Sequence, residues 1–137
     1  MPRDLSHGDY RELAELRYEI RRFLNFSETA ALAEGIEPRQ HQALLAIKAM
    51  SEPCTVRALA ESLFLRHQSV VGLVDRLALR NLVTRQTGDR DARQVIVRLT
   101  PHGEDLLRKL SLTHRQELKE SAPRLARALE AMIRKTK

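Results

Sequence analysis

Thr55–Gly103, TVRALAESLFLRHQSVVGLVDRLALRNLVTRQTGDRDARQVIVRLTPHG, is the stretch that decides the fold. Residues 55–62 read as a helix whose inward face is Val56, Leu59, Ala60 and Leu63. Residues 66–80 read as a second helix, with Val70, Leu73, Val74 and Leu77 inward. Only a few residues separate the two, as a helix-turn-helix requires. Two strand-like runs follow, 82–86 and 94–99; in the second, Val95, Val97 and Leu99 alternate with Ile96 and Arg98. Between them, residues 87–93 supply turn formers in Gly88, Asp89 and Asp91. Helix, turn, helix and hairpin in this order predict a winged helix, a shape used mainly to grip duplex DNA.

The charge pattern agrees. The quoted stretch holds eight arginines, no lysine and four acidic residues. The 137-residue chain carries a net charge of +6, with seven basic and nine acidic groups in 1–54 but nine and five in 101–137. Its pI is near 10.1, which favours a polyanionic partner. With 42% apolar residues the chain is globular, and its length suits one domain over 1–137. Cys54 is the only cysteine, so no intrachain disulfide forms. The N-terminus lacks a signal-peptide pattern, and no apolar run approaches the ~20 residues that span a bilayer. A cytoplasmic protein with no membrane partner is expected.

Outside the winged region the reading is helical. Residues 9–34 place Leu13, Leu16, Ile20, Phe23, Leu24 and Phe26 at roughly helical spacing, and Gly35 and Pro38 punctuate the end. A helix at 38–50 carries Leu44, Leu45, Ile47 and Ala49. Cys54–Val56 reads as a short extended piece, with Thr55 as cap of the next helix. Thr100 caps a further helix with Pro101 at its first position. It runs to about 120, Pro123 breaks or restarts it, and a last helix reaches about Arg134. The expected fold is mainly α with a small β-hairpin wing. The winged helix-turn-helix (38–100) is flanked by N-terminal (9–37) and C-terminal (101–135) dimerisation helices. Leu106, Leu107, Leu110, Leu118, Leu125, Leu129, Met132 and Ile133 exceed what so small a domain covers. A homodimer is expected, because two-fold symmetry sets paired recognition helices ~34 Å apart.

A helix in the major groove reads bases near its N-terminal end. Here that end offers Arg66 for guanine, Gln68 for adenine, with His67 and Ser69 beside them. Gly72 lets the helix approach closely, unless it packs against another helix. Arg76 reaches a phosphate, and Asp75 beside it pairs with a nearby arginine rather than facing the groove. Arg90 and Arg93 are candidates for the minor groove, with Asp91 shaping the wing by holding Arg93. Thr55 and Arg57 meet phosphates together with the N–H groups that start their helix. Arg85 is a weaker phosphate candidate.

The segments TVRALAESL, VVGLVDRLALRNLVTRQ and DRDARQVIVRLTPHGEDLL closely resemble the MarR family of bacterial transcription regulators. A helix-turn-helix, a D-x-R wing and L-T-x-x-G stand in the family's order and spacing. The resemblance covers nearly the whole chain. It implies a triangular dimer, with terminal helices intertwined at the apex and winged helices at the base. It also implies responsiveness to small lipophilic or phenolic compounds. Two positions depart from the family's habit: Ala92 stands where a second wing arginine is common, and Asn81 where glycine is common. Asn tolerates a left-handed backbone, so the turn is expected to survive.

The resemblance also implies an effector site where the first, second and fifth helices meet the winged domain. Arg17, Arg21 and His41 are the polar candidates there, suited to an acidic aromatic. His7, His41, His67, His102 and His114 lack metal-site spacing, and no metal or cofactor is expected. Cys54 reads as a small packing residue. No catalytic constellation stands out, so an enzyme is not expected. The resulting expectation is a dimeric, sequence-specific DNA-binding repressor of a palindromic operator, relieved by a small ligand. Two alternatives stand beside it: a redox or metal sensor on the same fold, and a winged-helix protein-interaction module that does not bind DNA.

Overall fold

The computed structural model describes residues 4–88 and 90–136. Asp89, read above as a turn former, lies outside the described residues. In chain order the elements are α1 (His7–Ala33), α2 (Pro38–Ala49), β1 (Cys54–Thr55), α3 (Val56–Leu63), α4 (His67–Leu79), β2 (Val83–Thr87), β3 (Val95–Leu99) and α5 (Pro101–Thr136). They form two compact units, one of Ala31–Ser111 and one of the stretches that end at Ala30 and begin at Leu112.

Within the Ala31–Ser111 unit, local chemistry sets each element. Thr55 Oγ1 accepts from the Ala58 N–H at 3.0 Å and so caps α3, a contact worth about 1 kcal/mol. Val56, Leu59 and Ala60 are buried beneath α3, and Val70, Leu73, Val74 and Leu77 beneath α4. In α2 the buried apolar residues are Ala43, Leu44 and Ile47. Asn81 adopts φ +58° after α4, and the Leu82 N–H returns to the Leu77 carbonyl at 3.0 Å, closing the helix end.

The end of α3 is less ordinary. Phe64 caps it at φ 55°, ψ 39°, its N–H directed at the Ala60 and Glu61 carbonyls. A bulky L-residue in this left-handed conformation is strained by about 1–2 kcal/mol. Its ring is 96% exposed, so no burial offsets the strain.

The sheet has three strands in the order β1-β3-β2, all antiparallel. The extended piece before α3 is thus part of the sheet, with Cys54 opposite Val97 and Thr55 opposite Ile96. β3 lies between two strands, and both Ile96 and Val97, neighbours on opposite faces, are buried.

Thr100 and Gly103 join this sheet to α5. The Thr100 hydroxyl donates to the Asn81 carbonyl at 2.6 Å and accepts from the Gly103 N–H at 3.0 Å. The Thr100 N–H donates to the Leu82 carbonyl at 3.1 Å. A Cβ on Gly103 would lie 2.1 Å from that same Leu82 oxygen. The spacing L-T-x-x-G therefore has a steric cause.

In the other unit, α1 and α5 meet through polar contacts. Glu19 is buried, 3.7 Å from Arg124. His114 Nε2 lies 2.7 Å from Ser27 Oγ, and Phe23 and Phe26 approach its ring edge-on. Pro123, expected to break or restart the last helix, lies inside an uninterrupted α5. Proline removes one intrahelical donor but leaves the flanking turns intact. The Ser121 hydroxyl donates to the Glu117 carbonyl at 3.2 Å, and Ser121 and Ala128 are buried on either side. Much of the unit's apolar stripe stays open, with Leu13, Ile20, Leu24, Leu112 and Leu129 each 42–46% exposed.

Gly103→Ala should destabilise the chain by about 3 kcal/mol, the upper range for forced overpacking. Urea unfolding measures it; an unchanged midpoint would show that the first turn of α5 does not abut Leu82.

Candidate nucleic-acid interface

The N-terminal end of α4 presents an unbroken polar row. Arg66, the residue before the helix, and His67, Gln68 and Ser69 are all exposed. None of the four is needed for the core, which α4 supplies from Val70 onward. One turn further, a Cβ on Gly72 would meet only Arg76 Nη1, at 3.5 Å. Among the described residues no other helix reaches that position, so Gly72 keeps the exposed face of α4 low beside Arg76.

Thr55 and Arg57 lie at the start of α3. Arg57 is exposed, with Nε 3.9 Å from Glu61 one turn on. Asp75 is paired with Arg85 of β2, which offsets its charge within the cleft that both line and joins helix to wing. Both side chains are nearly half exposed, so the pair contributes about 0–1 kcal/mol and acts mainly by orientation.

At the wing tip, Asp91 Oδ1 accepts from the Arg93 backbone N–H at 2.9 Å and from Arg93 Nε at 3.2 Å. The Arg93 side chain is nevertheless 92% exposed, and Arg90 is exposed beside it. Asp91 therefore fixes the backbone and Nε of Arg93 while the rest of the side chain stays in solvent. The two Arg93 donors, the backbone N–H first, hold the Asp91 carboxyl below the usual aspartate range.

Between α4, α3 and the wing runs a cleft of about 510 Å³. Arg57, His67, Arg85 and Arg93 line it together with Val71 and Val95. This gathering was not legible from sequence, because it joins residues from three elements. Phe64 was also missed: a helix cap in a left-handed conformation leaves no signal when the residue is not glycine or asparagine. On the far side of α4, Arg80 donates to Gln40 Oε1 at 3.2 Å, tying the end of α4 to α2.

The effector candidates fall in different units. Arg17 and Arg21 are exposed on α1 in one unit, and His41 is buried on α2 in the other. Cys54 is buried, and burial pushes its thiol pKa up, the opposite of what a reactive thiol requires. Among the described residues no cluster of His, Cys, Asp or Glu could hold a metal ion. Nor is any described helix long and apolar enough to cross a membrane.

Comparison with known proteins gives a consistent picture. The sequence profile of the MarR family matches residues 34–94. A candidate transcriptional regulatory protein for the hcr operon of Thauera aromatica is 26% identical over 130 residues, spanning 91% of this chain and 76% of that protein. Among solved structures, the MarR family regulator AbsC of Streptomyces coelicolor superposes with a TM-score of 0.76 at 18% identity, over 88% of this chain and 82% of that one. BpsR of Bordetella bronchiseptica, whose DNA binding is regulated by 6-hydroxynicotinic acid, superposes with a TM-score of 0.67 at 20% identity, over 99% and 97%. These likenesses identify the fold as that of MarR winged-helix proteins.

The wing geometry has a pH signature. A depressed Asp91 pKa stabilises the tip above the ordinary aspartate range and ceases to do so as pH falls through the depressed value. Carbon-detected NMR titration should place the Asp91 midpoint below that of an ordinary aspartate. Arg93→Ala should keep most of the depression, because the backbone donor remains. Full return to the ordinary value would assign the effect to the guanidinium instead.

Proposed function

From the match of the MarR family profile to residues 34–94, we propose that the chain is a MarR-type, homodimeric, sequence-specific DNA-binding transcriptional regulator. One observation carries the reading: the exposed row Arg66, His67, Gln68 and Ser69 opens α4 beside a wing whose Arg90 and Arg93 extend into solvent. In this reading α4 enters the major groove. Arg66 pairs with guanine and Gln68 with adenine, while Ser69 takes a base edge or a phosphate. Gly72 admits the duplex closely, and Arg76 meets its backbone. Arg90 and Arg93 enter the adjacent minor groove. Thr55, Arg57 and the first N–H groups of α3 hold phosphates.

The dimer rests on the open apolar stripe of α1 and α5, where Leu13, Ile20, Leu24, Leu112 and Leu129 are exposed in the single chain. A second copy covers that stripe and places two α4 helices on successive turns of a palindromic operator. The regulator acts as a repressor relieved by a small anionic aromatic, the class that Arg17 and Arg21 suit. BpsR, with 6-hydroxynicotinic acid, is a precedent for such control on this fold. Coupling of this kind is typically worth about 1–3 kcal/mol.

Fluorescence anisotropy on duplexes selected from a random pool tests the DNA reading. Arg93→Ala should weaken binding to all sequences and lower the salt slope by about one; unchanged affinity at moderate salt would remove the wing from the interface. Gln68→Ala should alter sequence preference more than overall affinity.

Sedimentation tests the dimer. The wild-type chain should run as a dimer at micromolar concentration and Leu24→Glu should shift it toward monomer, whereas a monomeric wild type would sink the symmetric reading.

A further inference from the structure

The geometry points to Phe64 as a specificity-determining residue that meets a thymine methyl group beside the bases read by α4, an inference that rests on the DNA-binding reading above. Three observations converge on it. First, the backbone is pinned: Phe64 closes α3 at φ 55°, with its N–H on the Ala60 and Glu61 carbonyls. Glycine would occupy this conformation without strain, so the fold itself has no use for an aromatic there. Second, the ring is 96% exposed and gains almost no contact from its own chain. Leu65, next along, is the turn residue that is partly buried. A lone exposed apolar residue is ordinary; one held in a strained backbone is not.

Third, its place selects the occupant. Phe64 lies two residues before Arg66 and three before His67, so a rigid cap fixes it close to the base-reading end of α4. The exposed groups on its α4 side, Arg66, His67 and Gln68, are cationic or polar, and Glu61 on its α3 side lies beside Arg57, a poor rim for an apolar protein partner and a suitable one for a polyanion. The apolar feature that duplex DNA offers in its major groove is the thymine C5-methyl, and phenylalanine is among the side chains that read it. Because the backbone of the turn is already fixed, the contact requires little ordering beyond that of the ring itself.

Replacing individual thymines of a selected duplex by deoxyuridine tests this, since only the methyl is lost. Wild-type chain should lose about fourfold in affinity at one thymine per half-site, the worth of one methyl group moved out of water. Phe64→Gly should bind the thymine duplex more weakly by a similar factor and ignore the same replacement. Phe64→Asn, also at ease in this backbone, should behave alike, and both variants should melt no lower than wild type. A wild type that shows no methyl-sensitive thymine overturns the assignment, as does Phe64→Gly with unchanged affinity or an unchanged response. A wild type that selects no duplex at all overturns the DNA-binding reading itself.

Discussion

The carbonyl of Leu82 is the point on which the winged region turns. It accepts the Thr100 N–H at 3.1 Å, and the bare α-carbon of Gly103 lies where any side chain would strike it. One residue earlier, the Asn81 carbonyl takes the Thr100 hydroxyl. The end of α4, the base of the hairpin at Val83 and Leu99, and the first turn of α5 are thereby fixed to one another. Recognition of a groove needs side chains aimed from a rigid frame. Here the frame is four residues, Asn81, Leu82, Thr100 and Gly103, and both the helix and the wing spring from it.

The acidic residues of the same region work with the arginines rather than against them. Glu61, Asp75 and Asp91 each sit beside one arginine: Arg57, Arg85 and Arg93. All three pairs are solvent-exposed and contribute little to stability. Their effect is directional, since each holds a long, mobile side chain near one orientation. Arg66, Arg76 and Arg90 are likewise exposed, so the surface keeps a positive excess while parts of it are pre-oriented. Lys48 with Glu104 at 2.9 Å and Lys109 with Glu34 at 3.1 Å do a different task, steadying the base of α5.

The helices and the hairpin were legible because their signals are local. The periodicity of Val70, Leu73, Val74 and Leu77 fixes the inward face of α4, and Thr55 announces the start of α3. The tolerance of asparagine for a left-handed backbone explains the turn at Asn81. What escaped depends on partners far along the chain. The pairing of Cys54 and Thr55 with β3 makes that strand central, and in it Ile96 is buried while Val95 is exposed, against the expected alternation. The burial of Glu19 depends on Arg124, more than a hundred positions away. Pro123 failed as a stop signal because burial of its neighbours outweighs one missing donor. In the interface, the row from Arg66 to Ser69 follows from the helix start alone, whereas the cleft and the pose of Phe64 need the assembled sheet and cap.

That embedded proline has a mechanical consequence. With no N–H at 123, the Lys119 carbonyl has lost its usual helical donor. Bending α5 at this level breaks one bond fewer than bending it anywhere else along its length. Stress on the helix therefore collects between Lys119 and Pro123, and α5 carries a built-in joint within its C-terminal half.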